Sequence, residues 1–429
     1  MRALYTILLL LLLLITLPLW IWRFWRTPKY RGTLASRLGR DAQRLSQSFG
    51  DRPLIWLHAV SVGEAMAAQS LCAALKQRYP DHALLLSTVT KTGRQVVREK
   101  IPQADAHMFL PLDLPCITGP VARTLRPQLF IVMETELWPN LFAALGAINT
   151  PIIVVNGRLS PGSFKNYSRA RWAMRAFLRP VTLMAMQSEM DAERMRAIGG
   201  DPARVRDLGN IKYDQALKQP SDADWAQLTA RIGALDALGA LFMAASTHPS
   251  EEAHALDAFA MLQAERPQLR LILAPRHPER CDEVAALVQE AGFDLLRLSQ
   301  AQGQWRETVL LVDQVGWLTR LYKLAQAVFM GGSLIPHGGQ NMLEPAAWAV
   351  PTLYGPHTSN FKGVSQQLDE SGGAFRIQAP AELAPRLAEL LDDAALRQRM
   401  GAAARDVVER NAGALERVMA VIEEIHPHG

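Results

Sequence analysis

The sequence predicts an α/β protein built as two parallel-sheet halves, with an apolar helix ahead of them. Three observations lead there. From Asp51 onward, short apolar runs alternate with amphipathic segments, which is the pattern of βα units. The chain has 429 residues, more than one ordinary core accommodates. A polar stretch from Lys218 to Asp224, containing Pro220 and Ser221, divides the alternation into two series of similar size.

The elements follow in chain order. Leu4 to Trp22 is an almost unbroken apolar run, interrupted by Tyr5, Thr6, Thr16 and Pro18. About 20 such residues span a bilayer as a helix. Trp20, Trp22 and Trp25 suit the interface, and Arg23, Arg26, Lys29, Arg31, Arg37 and Arg40 follow as a basic flank. Positive charge after the apolar run, without a small-residue cleavage site, argues against a secretory signal and places the body on the cytoplasmic side. The flank also suits anionic lipid head groups. Strands are expected at Leu54–His58, Ala83–Thr88, His107–Leu110, Leu129–Met133, Ile152–Asn156 and Leu183–Gln187 in the first half. The second half should contribute Leu241–Ser246, Leu269–Pro275, Leu295–Leu298, Val309–Asp313, Ala327–Met330 and Pro351–Tyr354. A single alanine- and charge-rich helix is expected from Gly401 onward. The division is 1–30 for anchor and basic flank, 31–217 and 218–405 for the two halves, and 406–429 for a helix packing back on the first half.

Composition excludes several classes. A hydrophobic fraction of 49% and a charged fraction of 20% describe a globular chain. The net charge of +5 is modest, and the body carries no basic stripe interleaved with aromatics, so nucleic acid is not an expected partner. Cys72, Cys116 and Cys281 lack ligand or disulfide spacing and read as core filling in a reducing compartment. There is no Walker lysine loop, no GxSxG elbow, no GxGxxG after the first strand and no DxD pair suited to holding Mg²⁺ on a diphosphate, and the histidines lack metal-ligand spacing.

Polar residues gather where the apolar runs end. Val328–Phe361 reads as strand, glycine loop and helix start, an arrangement that presents backbone N–H groups to an anion. Gly331, Gly332, His337, Asn341 and Glu344 crowd this junction, and Glu344 would face sugar hydroxyls. In the first half, Glu64 opens a helix after Gly63, either as a reactive carboxylate or as a first-turn stabiliser. Glu134 and Glu136 follow an apolar strand directly, which is costly unless they are paired or used. Lys212 and Arg276 are cations suited to phosphate or carboxylate.

In order, HAVSVGE, ETELWPN, NGRLS, GNIKYD, STHPSEE, APRHPER and GGSLIPHGGQNMLEPAAWAVPTLYGPHTSNF resemble the 3-deoxy-D-manno-octulosonic acid (Kdo) transferases over nearly the whole chain. The resemblance implies a GT-B-type fold, with two Rossmann-like domains facing a cleft, acceptor on the first and donor on the second. It implies inverting transfer of Kdo from CMP-Kdo to the tetra-acylated lipid A precursor (lipid IVA) in lipopolysaccharide biosynthesis. It also implies a place at the bacterial inner membrane and no metal or other cofactor. Glu64 matches the general base, and Glu134 and Lys212 match residues that stabilise the transition state. Pro275, Arg276, a backbone loop at Val315, Gly316 and Trp317, and Asn341, Met342, Leu343 and Glu344 match the nucleotide site.

Two departures stand out: Trp317 where the family's loop ends in Glu, and Gly157 and Gly162 where it carries Ala and Arg. The glycines would touch acceptor binding. The rival readings are a GT-B enzyme of UDP-sugars, either transferase or epimerase, and an inactive membrane-tethered sugar-nucleotide binder.

Overall fold

The computed structural model describes residues 1–26, 33–234 and 239–427, apart from the side chains of 17–26. It divides into two compact units, Met1–Gln215 with Ala412–Gly429, and Ala216–Asn411.

The first unit is built on seven strands: β1 Leu54–His58, β2 Ala83–Thr88, β3 Ala106–Phe109, β4 Leu129–Met133, β5 Ile152–Gly157, β6 Leu183–Met186 and β7 Val205–Asp207. They pair in the order β3-β2-β1-β4-β5-β6-β7, every pair parallel. A parallel sheet is covered on both faces, so its strands are apolar throughout rather than alternating. Leu54–His58 and Leu129–Met133 are buried at every position. Alternate side chains then feed two cores. Trp56, Leu85, Phe130 and Val154 enter one; Ile55, Leu57, Leu86 and Ile131 enter the other.

The second unit repeats the scheme with β8 Leu241–Thr247, β9 Arg270–Pro275, β10 Leu295–Arg297, β11 Val309–Leu311, β12 Ala327–Met330, β13 Thr352–Tyr354 and β14 Ala374–Arg376. Their order is β10-β11-β9-β8-β12-β13-β14, again parallel. In each sheet the winding direction reverses once, between β1 and β4 in the first and between β8 and β12 in the second. Ligands of doubly wound sheets bind outside the carboxyl ends of strands at such reversals.

Several expectations change. β7 and β14 were not foreseen, because three-residue edge strands ending in Arg206-Asp207 and Phe375-Arg376 lack an apolar run. The single final helix is two, Ala394–Arg410 and Ala414–Ile425. Asp214 separates them by accepting hydrogen bonds from the Gly413 and Leu415 N–H groups at 2.6 and 3.1 Å. The second helix then places Val418 and Ile422 in the core of the first unit. Cys116 is exposed rather than core filling, whereas Cys72 and Cys281 are buried.

The membrane-spanning expectation finds no support among the described residues. The leucine run lies in a helix, Arg2–Arg26. Its first turns rest on the body: Tyr5 meets Phe177 edge-on at 5.6 Å, and Asn140 Nδ2 donates to Thr6 Oγ1 at 3.1 Å. Among the described residues no helix is long and apolar enough to cross a membrane. The side chains of Trp20, Trp22, Trp25, Arg23, Arg26, Lys29 and Arg31 lie outside the described residues.

Candidate active site

At the reversal of the first sheet, β1 leads through Ala59 and Val60 into the helix Val62–Arg78, and Glu64 occupies its first turn. Ser61 caps the helix by accepting from the Glu64 N–H. The Glu64 carboxylate accepts in return from the Val60 N–H at 2.7 Å and the Ser61 hydroxyl at 3.0 Å. Serine followed three residues later by glutamate is the capping-box pattern, so the stabilising reading of Glu64 holds locally. It does not account for the charge environment. The Glu64 pKa is raised to about 7: burial is the largest cause, Glu134 and Glu136 add to it, and the bonds from Val60 and Ser61 oppose the rise. A carboxyl group so poised is half ionised near neutrality, which suits a general base.

Glu134 follows β4 directly, and its carboxylate accepts from Lys212 Nζ at 3.3 Å. Lys212 stands in the helix Ile211–Ala216 that follows β7. The structure therefore gathers all three sequence-predicted catalytic residues around one strand reversal. It adds Glu136, whose pKa is raised by burial and by Glu134. The loops are stitched together. Thr135 Oγ1 accepts from the Arg158 N–H at 2.8 Å, Asn156 Oδ1 accepts from the Ile211 N–H at 3.0 Å, and Asn210 Oδ1 accepts from the Lys212 N–H at 3.0 Å. Glu134 and Asn156 both have left-handed backbones, with φ of 56° and 58°. Such strain in non-glycine residues collects where side chains must be aimed. His58, at the end of β1, is no rival base. Burial lowers its pKa to about 3, and its Nδ1 lies 2.9 Å from Ser87 Oγ.

The Gly157 departure has a packing cause. A Cβ there would stand 2.6 Å from Met186 Sδ, so methionine on β6 takes the volume that alanine would need. Gly157 is thus fixed by packing against Met186 of the core. Gly162 has only Ser160 Oγ nearby, at 3.9 Å.

In the second unit, the glycine loop after β12 is arranged differently from the expectation. Its N–H groups at Gly332, Ser333 and Leu334 are not presented to a ligand. Glu251, fully buried, accepts from all three at 2.7, 3.0 and 3.0 Å and from the His248 N–H at 3.0 Å. An internal carboxylate fills the anion nest. Beside it, His248 lies 4.1 Å from His337 and 5.7 Å from His277, measured between ring centroids, and its Nε2 is 3.0 Å from Gln340 Nε2. Burial first, then His337, His277, Arg276 and Arg280, hold its pKa down at about 4. Among the described residues no group of three or more His, Cys, Asp or Glu is arranged to hold a metal ion.

Arg276 leaves β9 with its N–H bonded to the Thr247 carbonyl at 2.9 Å, and its side chain is exposed. Glu344, in the short helix Leu343–Ala347, accepts from Asn341 Nδ2 at 2.9 Å. Burial raises the Glu344 pKa, while Asn341 and the charge of Arg276 lower it. Arg276, Asn341 and Glu344 thus form one electrostatic group. Tyr322, unforeseen from sequence, joins it: burial and then Glu344 push its phenol well above the usual range. Met342 and Leu343 are fully buried and anchor the segment rather than face a ligand. The loop at Val315–Trp317 exposes Val315 and turns Trp317 inward under the Arg320 guanidinium, 4.7 Å from the ring centroid. The residue that departs from the family pattern is therefore a packing group.

Two seven-stranded parallel α/β units, with polar constellations at their strand reversals, define a two-domain α/β fold of the GT-B type. The fold is shared with a glycosyltransferase from Rickettsia africae ESF-5 at 12% identity, covering 89% of this chain and 100% of that one with a TM-score of 0.57. It is shared equally with a UDP-GlcNAc 2-epimerase from Neisseria meningitidis, at 11% identity, 87% and 99% coverage and a TM-score of 0.57. Sequence narrows the class. Residues 33–215 match the family model described as 3-Deoxy-D-manno-octulosonic-acid transferase (kdotransferase). A 3-deoxy-D-manno-octulosonic acid transferase of Haemophilus influenzae is 35% identical over 404 residues, covering 93% of this chain and 92% of the relative. One from Bordetella pertussis is 33% identical over 440 residues, covering 99% of each. The chain belongs to the 3-deoxy-D-manno-octulosonic acid transferase family and is a glycosyltransferase.

Proposed function

We propose that this enzyme transfers Kdo from CMP-Kdo to the tetra-acylated lipid A precursor with inversion at the anomeric carbon, and that Glu64 is the base. The observation that carries the reading is the raised pKa of Glu64 beside the Glu134–Lys212 pair. As the acceptor hydroxyl attacks the anomeric carbon, its proton passes to a Glu64 carboxylate oxygen. The bond from that carbon to the CMP phosphate breaks, and the electron pair leaves with the phosphate. One base and one departing phosphate suffice for a single displacement. Lys212 offers positive charge to the developing anion, and Glu134 holds it in place at 3.3 Å.

On the second unit, Arg276 is the cation for the CMP phosphate, and Asn341 and Glu344 are hydrogen-bonding partners for the nucleotide's hydroxyls. Met342, Leu343, Pro275 and the Val315–Gly316 backbone shape that site, and Trp317 supports it from behind. With the loop N–H groups of Gly332–Leu334 already held by Glu251, side-chain charge carries more of the phosphate binding than the glycine pattern suggests. No metal is needed in this scheme. The acceptor is a membrane lipid, and the helix Arg2–Arg26 exposes Leu4, Ile7, Leu8, Leu11 and Ile15, a surface suited to the inner membrane.

Nucleotide protection against thermal unfolding tests the donor. CMP should raise the midpoint and UDP should not. Protection by UDP alone favours a UDP-sugar enzyme of the same fold and overturns the CMP-Kdo reading.

A further inference from the structure

The first unit carries a polar cavity of about 1170 Å³, formed by the helix Arg171–Leu178, the residues before it, Arg196 and the turn from Gly199 to Arg204. Six arginines line it: Arg169, Arg171, Arg175, Arg179, Arg196 and Arg204. None of them belongs to the strand-reversal site described above. Helix and turn are fitted closely: Gly199 has φ +116°, and a Cβ there would lie 3.0 Å from Arg175 Cβ and 3.1 Å from its backbone. The cavity is thus a built feature rather than a chance gap between side chains.

Its charge is compensated only in part. Arg196 pairs with Glu189, and Arg204 with Asp201. Among the described residues no carboxylate pairs with Arg169, Arg171, Arg175 or Arg179, and all four are exposed. Arg171, Arg175 and Arg179 stand four residues apart and so share one helix face, where like charges repel. Arg171 also begins a helix with no acidic residue in its first turn, against the helix dipole. Elsewhere this chain balances exposed helical arginines, as with Arg386 and Glu389, Arg405 and Glu409, and Arg410 and Asp406. Such a stripe is tolerated where an anion meets it.

The surroundings identify the anion. Trp172, 57% exposed, stands among the arginines. Phe177 of the same helix packs against Tyr5, whose helix exposes Leu4, Ile7, Leu8 and Leu11. Arginines, an exposed indole and an apolar helix on adjoining elements match the layers of a bilayer surface: phosphate, interface, hydrocarbon.

We propose that the arginine groove binds the phosphates of anionic phospholipid head groups and fixes the orientation of the first unit on the membrane. The site is separate from the nucleotide and catalytic residues, so it is read by lipid binding rather than turnover. The test compares the full chain with an Arg171→Gln, Arg175→Gln, Arg179→Gln variant on vesicles of phosphatidylcholine with and without phosphatidylglycerol. Each arginine near an anionic surface contributes roughly fivefold, so the phosphatidylglycerol-dependent gain in affinity should fall about a hundredfold in the variant. Binding to pure phosphatidylcholine and the thermal midpoint should be retained, because the three side chains are exposed and glutamine is a good helix former. An Arg386→Gln, Arg405→Gln, Arg410→Gln control should keep the gain. Retention of the gain in the groove variant, or equal loss in the control, overturns the proposal. So does thermal stabilisation of the native chain alone by inorganic phosphate with vesicle binding unchanged, which assigns the groove to a soluble phosphate.

Discussion

In the proposed mechanism Glu64 is both a first-turn stabiliser and the base, and its surroundings pull its ionisation in opposite directions: burial and the neighbouring carboxylates raise its pKa, and the bonds from Val60 and Ser61 lower it. The native carboxyl holds its proton up to about pH 7, whereas the unfolded chain releases it near 4.5. The native state binds more protons across that window, so stability falls as pH rises through it and the cost levels off above. That cost is about 3 kcal/mol. Glu64→Gln keeps an acceptor for the Val60 N–H and removes the charge. Its unfolding midpoint should match the parent near about pH 4 and exceed it near about pH 8. A difference that does not change with pH contradicts the assignment of the shift to Glu64. Glu251 makes the opposite case. Replacing it by glutamine leaves one carbonyl for four buried N–H donors, and about 3–5 kcal/mol of stability should be lost in denaturant melts, together with CMP affinity. An unchanged melt shows that the loop holds itself. Glu64 stood out because it opens a helix directly after Gly63, although the residues alone left a reactive and a stabilising reading open. Glu251 was not, because its partner Gly332 lies 81 residues away and only the fold joins them.

The strands were read nearly to the residue where both sheet faces are covered. Leu54–His58, Ala83–Thr88, Leu129–Met133 and Ala327–Met330 coincide with the apolar runs, because a doubly buried strand has no polar face to blur its pattern. Edge strands β7 and β14 lacked that signal. The final helix misled for another reason: the stop signal Asn411-Ala412-Gly413, with Gly413 at φ 83°, was passed over, and a tertiary contact fixes the break there. Asp214, part of the GNIKYD motif, caps Ala414–Ile425 from a distant position. Asp214→Ala should cost about 1–2 kcal/mol of stability in thermal melts, with Lys212 still paired to Glu134. Loss of transfer without loss of stability would instead mean that Asp214 acts on substrate. The glycine loop after β12 looked like an anion cradle in sequence and is one in structure, but the anion is the protein's own.

Across the whole molecule, the motifs scattered from HAVSVGE to the glycine loop form two constellations, one at each sheet reversal. The first holds a poised carboxyl and an ion-paired lysine; the second holds a cation, an amide and a half-buried carboxylate. Local pattern revealed which strand ends carry them. It could not reveal which polar groups satisfy one another, nor that the leucine run begins by packing on the body. The division of labour between the units is tested most directly by one variant measured in two ways. Glu64→Gln should abolish Kdo transfer to the lipid acceptor, by at least about two to four orders of magnitude in rate, while CMP protects it from thermal unfolding as well as it protects the parent. Full transfer by Glu64→Gln, with CMP protection intact, would contradict the account at its centre.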